Sequence, residues 1–193
     1  AAGHEVIACA RRPFDRYVIE SPQFPLDIEA TVVTDPAAIT STVEWVLLSV
    51  KAHQTPGAAE WLSRLCGADT KVLVVQNGIE HDLADAYTNG APTIPTVVYC
   101  GAELLEPGHI KHSSAGHLFV PDQPYGDALL ELFAESQAEV RPTSAFATEK
   151  WRKLSFNVLL NGLTALTGRT LSVVGDPAIR PIAIETVREC WQI

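Results

Sequence analysis

Short apolar runs rich in β-branched residues recur along the first half of the chain and alternate with stretches of helical periodicity. We predict strands at 4–10, 31–33, 44–50, 71–75 and 95–100. Between them, helices are predicted at 53–65 and 80–87. The strand runs lack a period-2 alternation, which is typical of strands buried on both faces of a parallel sheet. The pattern therefore predicts an α/β fold with a doubly wound, Rossmann-type parallel sheet.

A different pattern follows residue 100. Two shorter runs, 109–114 and 117–120, are predicted to form a hairpin that turns near Ala115-Gly116. A helix at 125–136 and a last short strand at 139–141 are predicted to complete the sheet domain.

From Thr148 onward only helical patterns remain. One helix is predicted at 148–166, and a second begins in "GDPAIRP" at 175–181, where Asp176 is a suitable N-cap residue followed by a proline. We therefore divide the chain into a sheet domain, 1–146, and the start of an all-helical domain, 147–193.

The helix "WRKLSFNVLLNGLTAL" carries one polar stripe. Lys153, Asn157 and Asn161 recur at every fourth position, about 40° apart around the helix axis, among leucines and other apolar residues. A helix with so little solvated surface is expected to be buried. Its polar stripe then either belongs to a hydrogen-bond network in the core or faces the cleft between the two domains. We predict that it faces the cleft.

Composition narrows the function classes. The chain has 193 residues, 47% of them hydrophobic, with a net charge of −9 and no long charged run, which argues against nucleic acid as a partner. No apolar run approaches the ~18 residues of a membrane span, and no signal peptide is recognisable, so we expect a soluble, cytoplasmic protein. The four cysteines lie far apart without a metal-binding spacing, and no metal site is predicted.

The first residues, "AAGHEV", resemble the end of a helix capped by Gly3. No G-x-G-x-x-G motif and no methionine occur in the chain. We therefore expect a first strand, a glycine-rich turn and a helix to precede Ala1.

Candidate binding residues follow the predicted strands, because ligands of a doubly wound sheet lie beyond its carboxyl ends. Arg11 and Arg12 follow the first strand, where an arginine can bind a ribose 2′-phosphate; a solvated basic pair is the alternative. Lys51 and Gln54 follow the strand 44–50. Asn77 follows 71–75 next to a glycine, which fits close ligand approach or a simple Asn-Gly turn.

Five segments, taken in order, resemble the ketopantoate reductase family and cover essentially the whole chain. They are "GHEV…ARR" at 3–12, "LLSVKAHQT" at 47–55, "VVQNGI" at 74–79, "GA…EPGHIKH" at 101–112 and "EKWRKLSFNVLLNGLTAL" at 149–166. The resemblance implies that NADP(H) is the cofactor, with Arg11 at the adenosine 2′-phosphate. It also implies that Lys51 and Gln54 approach the cofactor.

The resemblance further implies reduction of a 2-oxo acid, with 2-dehydropantoate (ketopantoate) as the family's own substrate and pantoate, a pantothenate and coenzyme A precursor, as product. Lys153 would be the catalytic residue, Asn157 and Asn161 would hold the substrate, and Asn77 would lie where substrate and nicotinamide ribose meet. Family members also have a glutamate and a serine in later helices, which are absent from this chain. The small 2-oxo acid is the expected partner, and a homodimer is one option for assembly.

Alternatives remain open at this point. Glu149 and Lys153 are spaced i, i+4 and could form a helix ion pair of about 0.2–0.5 kcal/mol, although such a pair would not explain Asn157 and Asn161. A dehydrogenase of another hydroxy or opine acid, or an NADP-binding module without catalysis, would share the same sheet domain.

Overall fold

The computed structural model describes residues 3–78 and 82–192, and the chain divides into two compact units, 1–144 and 145–193. Among the residues that the structure describes, none of the helices combines the length and the apolar character needed to cross a membrane.

The first unit contains ten strands and two α-helices within the described residues. The strands are β1 (Ile7–Cys9), β2 (Arg16–Glu20), β3 (Leu26–Glu29), β4 (Thr31–Val33), β5 (Trp45–Leu48), β6 (Lys71–Val74), β7 (Thr93–Pro95), β8 (Val97–Glu106), β9 (His109–Pro121) and β10 (Glu139–Thr143). The α-helices are α1 (Ala59–Leu65) and α2 (Gly126–Leu132), and short 3₁₀ helices cover Pro36–Ala38, Ala52–Ala58 and Asp82–Tyr87. The predicted helices at 53–65 and 80–87 are therefore partly 3₁₀, and residues 80–81 of the second lie outside the described residues.

Strand β6 is the centre of a three-stranded parallel sheet in the order β5-β6-β7. Val72 and Val74 pack on one face with α1 and the 3₁₀ segments around it. Leu73 points to the other face and packs against Ile94 and Leu129. The prediction of a strand covered on both faces is confirmed for β6, because a parallel strand flanked by helices alternates its apolar side chains between two cores.

Strands β1 and β4 form a separate parallel pair, with Ile7 opposite Thr31 and Cys9 opposite Val33. In the described part of the chain, this pair shares no sheet hydrogen bonding with β5-β6-β7. Ile7 is 38% exposed, and Leu47 of β5 is 51% exposed. The expected coverage of both faces is therefore wrong for β1 and β5, because Ile7 and Leu47 keep a large exposed surface in the part of the chain that the structure describes.

The third sheet is mixed and is built around the long strand β9. Strand β8 pairs with β9 antiparallel, and β2 and β10 pair with it in parallel. The predicted hairpin with a turn at Ala115-Gly116 is wrong, because 109–121 is one continuous strand. The hairpin lies instead between β8 and β9, where Gly108 adopts a φ of 80°.

The second unit contains α3 (Phe146–Thr167), a 3₁₀ helix at Leu171–Gly175 and α4 (Arg180–Cys190). Leu163, Val173 and Ala183 form its buried core, which joins these three elements. Gly168 ends α3 with a φ of 64° and a hydrogen bond from its N–H to the carbonyl oxygen of Thr164.

Asp176 caps the turn that leads into α4. Its Oδ1 accepts a hydrogen bond from the N–H of Ala178 at 3.0 Å, and Oδ2 accepts one from Arg169 at 2.8 Å. The α-helical hydrogen bonding begins at Arg180, four residues after the predicted N-cap. Asp176 therefore caps the turn at 177–179, and the prediction that it is the N-cap of the helix is wrong, because the N-cap of α4 is Ile179.

The prediction that the 148–166 helix is buried on all sides is wrong. Phe156 is 50% exposed, Val158 is 41% exposed and Leu166 is 86% exposed. Within the second unit, α3 packs through one face only, against α4 and the 171–175 segment. An apolar pattern predicts burial, but burial also requires a packing partner on each face.

We expect Asp176→Ala to lower the thermal stability of the protein. The hydrogen bond from Arg169 and the N–H of Ala178 hold the pKa of the Asp176 carboxyl below its usual range. A carboxyl whose folded pKa is lowered stabilises the fold above its unfolded pKa, and this contribution is lost as pH falls through the folded value. The difference in melting temperature between wild type and variant should therefore shrink between about pH 7 and about pH 3.

The matched control is Glu185→Ala, which removes an exposed carboxylate that contacts Arg188 at 3.4 Å on α4. That variant should melt close to wild type, because exposed ion pairs contribute little. A pH-independent loss in Asp176→Ala would contradict the assignment of the cap and its ion pair.

Candidate functional site

The carboxyl ends of β5 and β6 meet at one edge of the parallel sheet, because the two strands run in the same direction. Lys51 follows β5 after Ser49 and Val50, and its exposed side chain stands at the start of the 52–58 helix. Asn77 follows β6 and is likewise exposed. Two of the predicted site residues therefore occupy one edge, in the position where a doubly wound sheet binds ligands.

Gln54 belongs to the same edge. Its backbone N–H donates to the carbonyl oxygen of Lys51 at 2.7 Å, which closes the first turn after β5. Its side chain is half-buried, unlike that of Lys51. Gly78, directly after Asn77, has a φ of 123°, a region that L residues rarely adopt. The backbone therefore turns sharply where Asn77 presents its amide.

A buried amide connects these two strand ends. Gln76 is 5% exposed, and its Nε2 donates to the carbonyl oxygen of Val50 at 2.8 Å and to Oγ1 of Thr55 at 3.0 Å. Gln76 was not among the site residues predicted from the sequence. A polar residue directly after four apolar positions was the available signal.

Arg11 lies beyond the carboxyl end of β1, in the separate β1-β4 pair. The N–H of Ala10 donates to the carbonyl oxygen of Val33 at 3.0 Å, which extends the pairing up to Arg11. The side chains of Arg11 and Arg12 are both exposed. Either guanidinium is therefore accessible to an anionic ligand.

The Lys–Asn–Asn stripe lies on α3, in the second unit. Lys153 and Asn157 are half-buried and Asn161 is exposed. Leu159 and Leu163, which pack toward α4, lie about 160° and about 120° around the helix axis from Asn157, the middle residue of this stripe. Within the second unit, the stripe is therefore on a different face from the packing surface.

Glu149 has a partner on its own helix. Glu149 is 9% exposed, and its carboxylate pairs with the guanidinium of Arg152, three positions later. Arg152 therefore pairs with the carboxylate that the ion-pair alternative gave to Lys153.

The structure thus places the predicted residues in three groups. Lys51, Gln54 and Asn77 are together at the edge of β5 and β6, and Arg11 is on the β1-β4 pair. Lys153, Asn157 and Asn161 are together on α3. In residues 3–78 and 82–192, no cluster of three or more histidine, cysteine, aspartate or glutamate residues is placed to hold a metal ion.

Parallel strands with polar residues at their carboxyl ends, followed by a helical unit, define the Rossmann-type α/β class. The chain belongs to the ketopantoate reductase family. Residues 1–124 match the family model "Ketopantoate reductase PanE/ApbA", and residues 145–193 match "Ketopantoate reductase PanE/ApbA C terminal".

Two curated relatives are named 2-dehydropantoate 2-reductase. The protein from Caulobacter vibrioides is 31% identical over 188 residues, covering 97% of this chain and 64% of the relative. The protein from Mycobacterium tuberculosis is 30% identical over 196 residues, covering 100% of this chain and 65% of the relative. The chain therefore spans about two thirds of the length of these relatives.

Solved structures share the fold. The crystal structure of 2-dehydropantoate 2-reductase from Geobacter metallireducens has a TM-score of 0.89 at 20% identity, covering 98% of this chain and 67% of that one. A ternary structure of D-mandelate dehydrogenase with NADH and anilino(oxo)acetate has a TM-score of 0.67 at 19% identity, covering 90% of this chain and 65% of that one. The predicted fold class is confirmed.

Proposed function

We propose that the full-length protein reduces 2-dehydropantoate to pantoate with NADPH. The observation that carries this proposal is the Lys153, Asn157 and Asn161 stripe, present on one face of α3 in a chain that belongs to the ketopantoate reductase family. The stripe lies on a different face of α3 from Leu159 and Leu163, which pack in the core of the second unit.

The residues of the first unit fit a phosphorylated dinucleotide. Exposed cations, Arg11 and Lys51, follow the strands β1 and β5, and a cationic side chain binds phosphate by charge-assisted hydrogen bonds. Asn77 is exposed after β6, and its amide offers both a donor and an acceptor to a ligand. These features support NADP(H) as the cofactor.

When bound, NADPH supplies the hydride that reduces the substrate carbonyl carbon. The carbonyl oxygen then gains negative charge and needs a proton to become the hydroxyl of pantoate. We assign this task to the Lys153 ammonium, which donates the proton or stabilises the charge. Its half-buried position on an apolar helix limits competition from water.

The two asparagines bind rather than react. An amide offers both a donor and an acceptor, so Asn157 and Asn161 can hold the hydroxyl and carboxylate groups of a small acid. Asn77 is assigned to the region where substrate and nicotinamide ribose meet. The orientation of the stripe toward a cleft stays a prediction, as do the cytoplasmic location and the homodimer.

We expect Arg11→Ala to weaken NADPH binding about tenfold while leaving NADH binding unchanged. The guanidinium would lose charge-assisted hydrogen bonds to the 2′-phosphate, which NADH lacks. Fluorescence titration of the full-length protein with both cofactors measures the effect. Arg12→Ala is the matched control and should behave like wild type. If Arg12→Ala loses NADPH selectivity and Arg11→Ala does not, the assignment moves to Arg12.

Lys153→Ala should lower kcat by ~100-fold or more, about 2.7 kcal/mol in the barrier, because the developing charge loses its stabilising cation. Steady-state kinetics with NADPH and 2-dehydropantoate measure this loss, and thermal unfolding checks that the variant is folded. Lys150→Ala, which removes a neighbouring half-buried lysine from the same helix, is the control and should keep near-normal kcat. A near-normal kcat in Lys153→Ala would falsify the assignment.

Asn157→Ala and Asn161→Ala should raise the KM for the oxo acid more than they lower kcat, since they remove binding contacts present in both ground and transition states. The same kinetic assay separates the two parameters. A loss confined to kcat would instead place these amides in the chemical step.

A second candidate substrate comes from the structural likeness to D-mandelate dehydrogenase. The full-length protein should therefore be assayed with 2-dehydropantoate and with an aryl 2-oxo acid, each with NADPH and with NADH. We expect turnover of 2-dehydropantoate with NADPH. Preference for the aryl acid would favour the second candidate, and no turnover of either would favour a non-catalytic NADP-binding protein.

A further inference from the structure

The side chain of Gln76 continues the pairing of β5 and β6 past the end of the sheet. The last backbone bond between the strand ends runs from the N–H of Val75 to the carbonyl oxygen of Leu48 at 2.9 Å. Beyond it, Gln76 Nε2 reaches the carbonyl oxygen of Val50 at 2.8 Å. A side-chain amide therefore takes the place of the next backbone donor.

The same nitrogen also holds the segment that follows β5. It donates to Oγ1 of Thr55 at 3.0 Å, and Thr55 has no exposed surface. Lys51 and Gln54 lie between the two acceptors of Gln76 along the chain. Because both ends of the 50–55 segment are bound to one amide, the segment has little freedom to move relative to Gln76.

The orientation of the amide follows from its partners. A backbone carbonyl can only accept, so the nitrogen of Gln76 must face Val50 and the oxygen must face away. Among the described residues, Oε1 has no hydrogen-bond partner although it is buried. The amide nitrogen thus donates both of its hydrogen bonds to the 50–55 segment.

We propose that Gln76 is a positioning residue that fixes Lys51 and Gln54 relative to Asn77, so that one ligand can contact all three. The inference rests on the proposed cofactor site and adds a residue to its support. Gln76 directly precedes Asn77 in the chain, so the backbone that presents Asn77 is held by the same side chain. Removing the amide should loosen the edge without disrupting the sheet, which is held by apolar packing on both faces of β6.

The test uses Gln76→Leu in the full-length protein. The substitution keeps the side chain near its original size and removes both donated bonds, so the 50–58 backbone should exchange its amide hydrogens faster in deuterium oxide. The Kd for NADPH should rise about fivefold, the loss expected for ordinary hydrogen bonds that hold a loop. kcat at saturating NADPH should fall less than the Kd rises.

Thr55→Val tests the same bond from its other end and should show the same direction of change, whereas Thr55→Ser keeps the hydroxyl and should remain near wild type. The matched control is Thr70→Val. Thr70 is also buried, but it lies just before β6, where its Oγ1 accepts from the N–H of Gly67 at 2.9 Å. The Thr70→Val variant should have a lower melting temperature, but its NADPH affinity and its amide hydrogen exchange in residues 50–58 should not change.

Faster 50–58 exchange and weaker NADPH binding in Gln76→Leu and Thr55→Val, but not in Thr70→Val, would support the positioning role. Unchanged exchange in Gln76→Leu, or equal effects in Thr70→Val, would overturn it. If the unaltered protein binds no NADPH, the proposed function fails, and the exchange comparison still decides whether Gln76 fixes the 50–55 segment.

Discussion

The burial of β6 on both faces is the constraint on which the first unit depends. Val72, Leu73 and Val74 have no exposed surface, and burying each such side chain contributes roughly 1.5–3 kcal/mol. A single hydrogen bond contributes about 1 kcal/mol net. Apolar packing therefore fixes the position of β6, and the position of β6 determines where the polar residues that follow it lie.

The apolar packing of β6 explains why the candidate binding residues follow the strand. Within Val72–Val74, a polar side chain would enter one of two apolar cores, so the polar residues lie on either side of this buried stretch. Gln76 is buried there and uses its donors to bind the 50–55 segment, whereas Asn77 is exposed and available to a ligand. The buried amide of Gln76 can thus hold the backbone in place, while the exposed amide of Asn77 keeps its hydrogen-bonding groups for a ligand.

Much of the fold could be predicted from the sequence because its strands carry local signals. The predicted strand 31–33 coincides with β4, and the run at 71–75 contains β6. Strand β2 and the edge strand β3 were not predicted, since they span only five and four residues and β2 lacks an alternation of polar and apolar positions. The hairpin was misplaced because Ser, Ala and Gly at 114–116 resemble a turn, while Pro107-Gly108 is the actual one.

The candidate site was predictable only in part. That Lys51 and Asn77 follow parallel strands could be deduced from the chain order alone, because parallel strands end at the same edge. The bond from Gln76 to Val50 joins residues 26 positions apart and depends on the strand register, which no local pattern specifies. Sequence thus located the edge of the sheet, and three-dimensional pairing supplied the contacts that hold it.

Helix α3 separates its structural and chemical roles by face. Leu159 and Leu163 pack toward α4, in the apolar core that stabilises the second unit. Lys153 and Asn157 lie on another face, so their polar groups do not compete with that packing. Because the two faces use different residues, the chemistry of the stripe can be altered with small effects on the helix that supports it. A functional lysine on a helix is easiest to maintain where the fold does not depend on it.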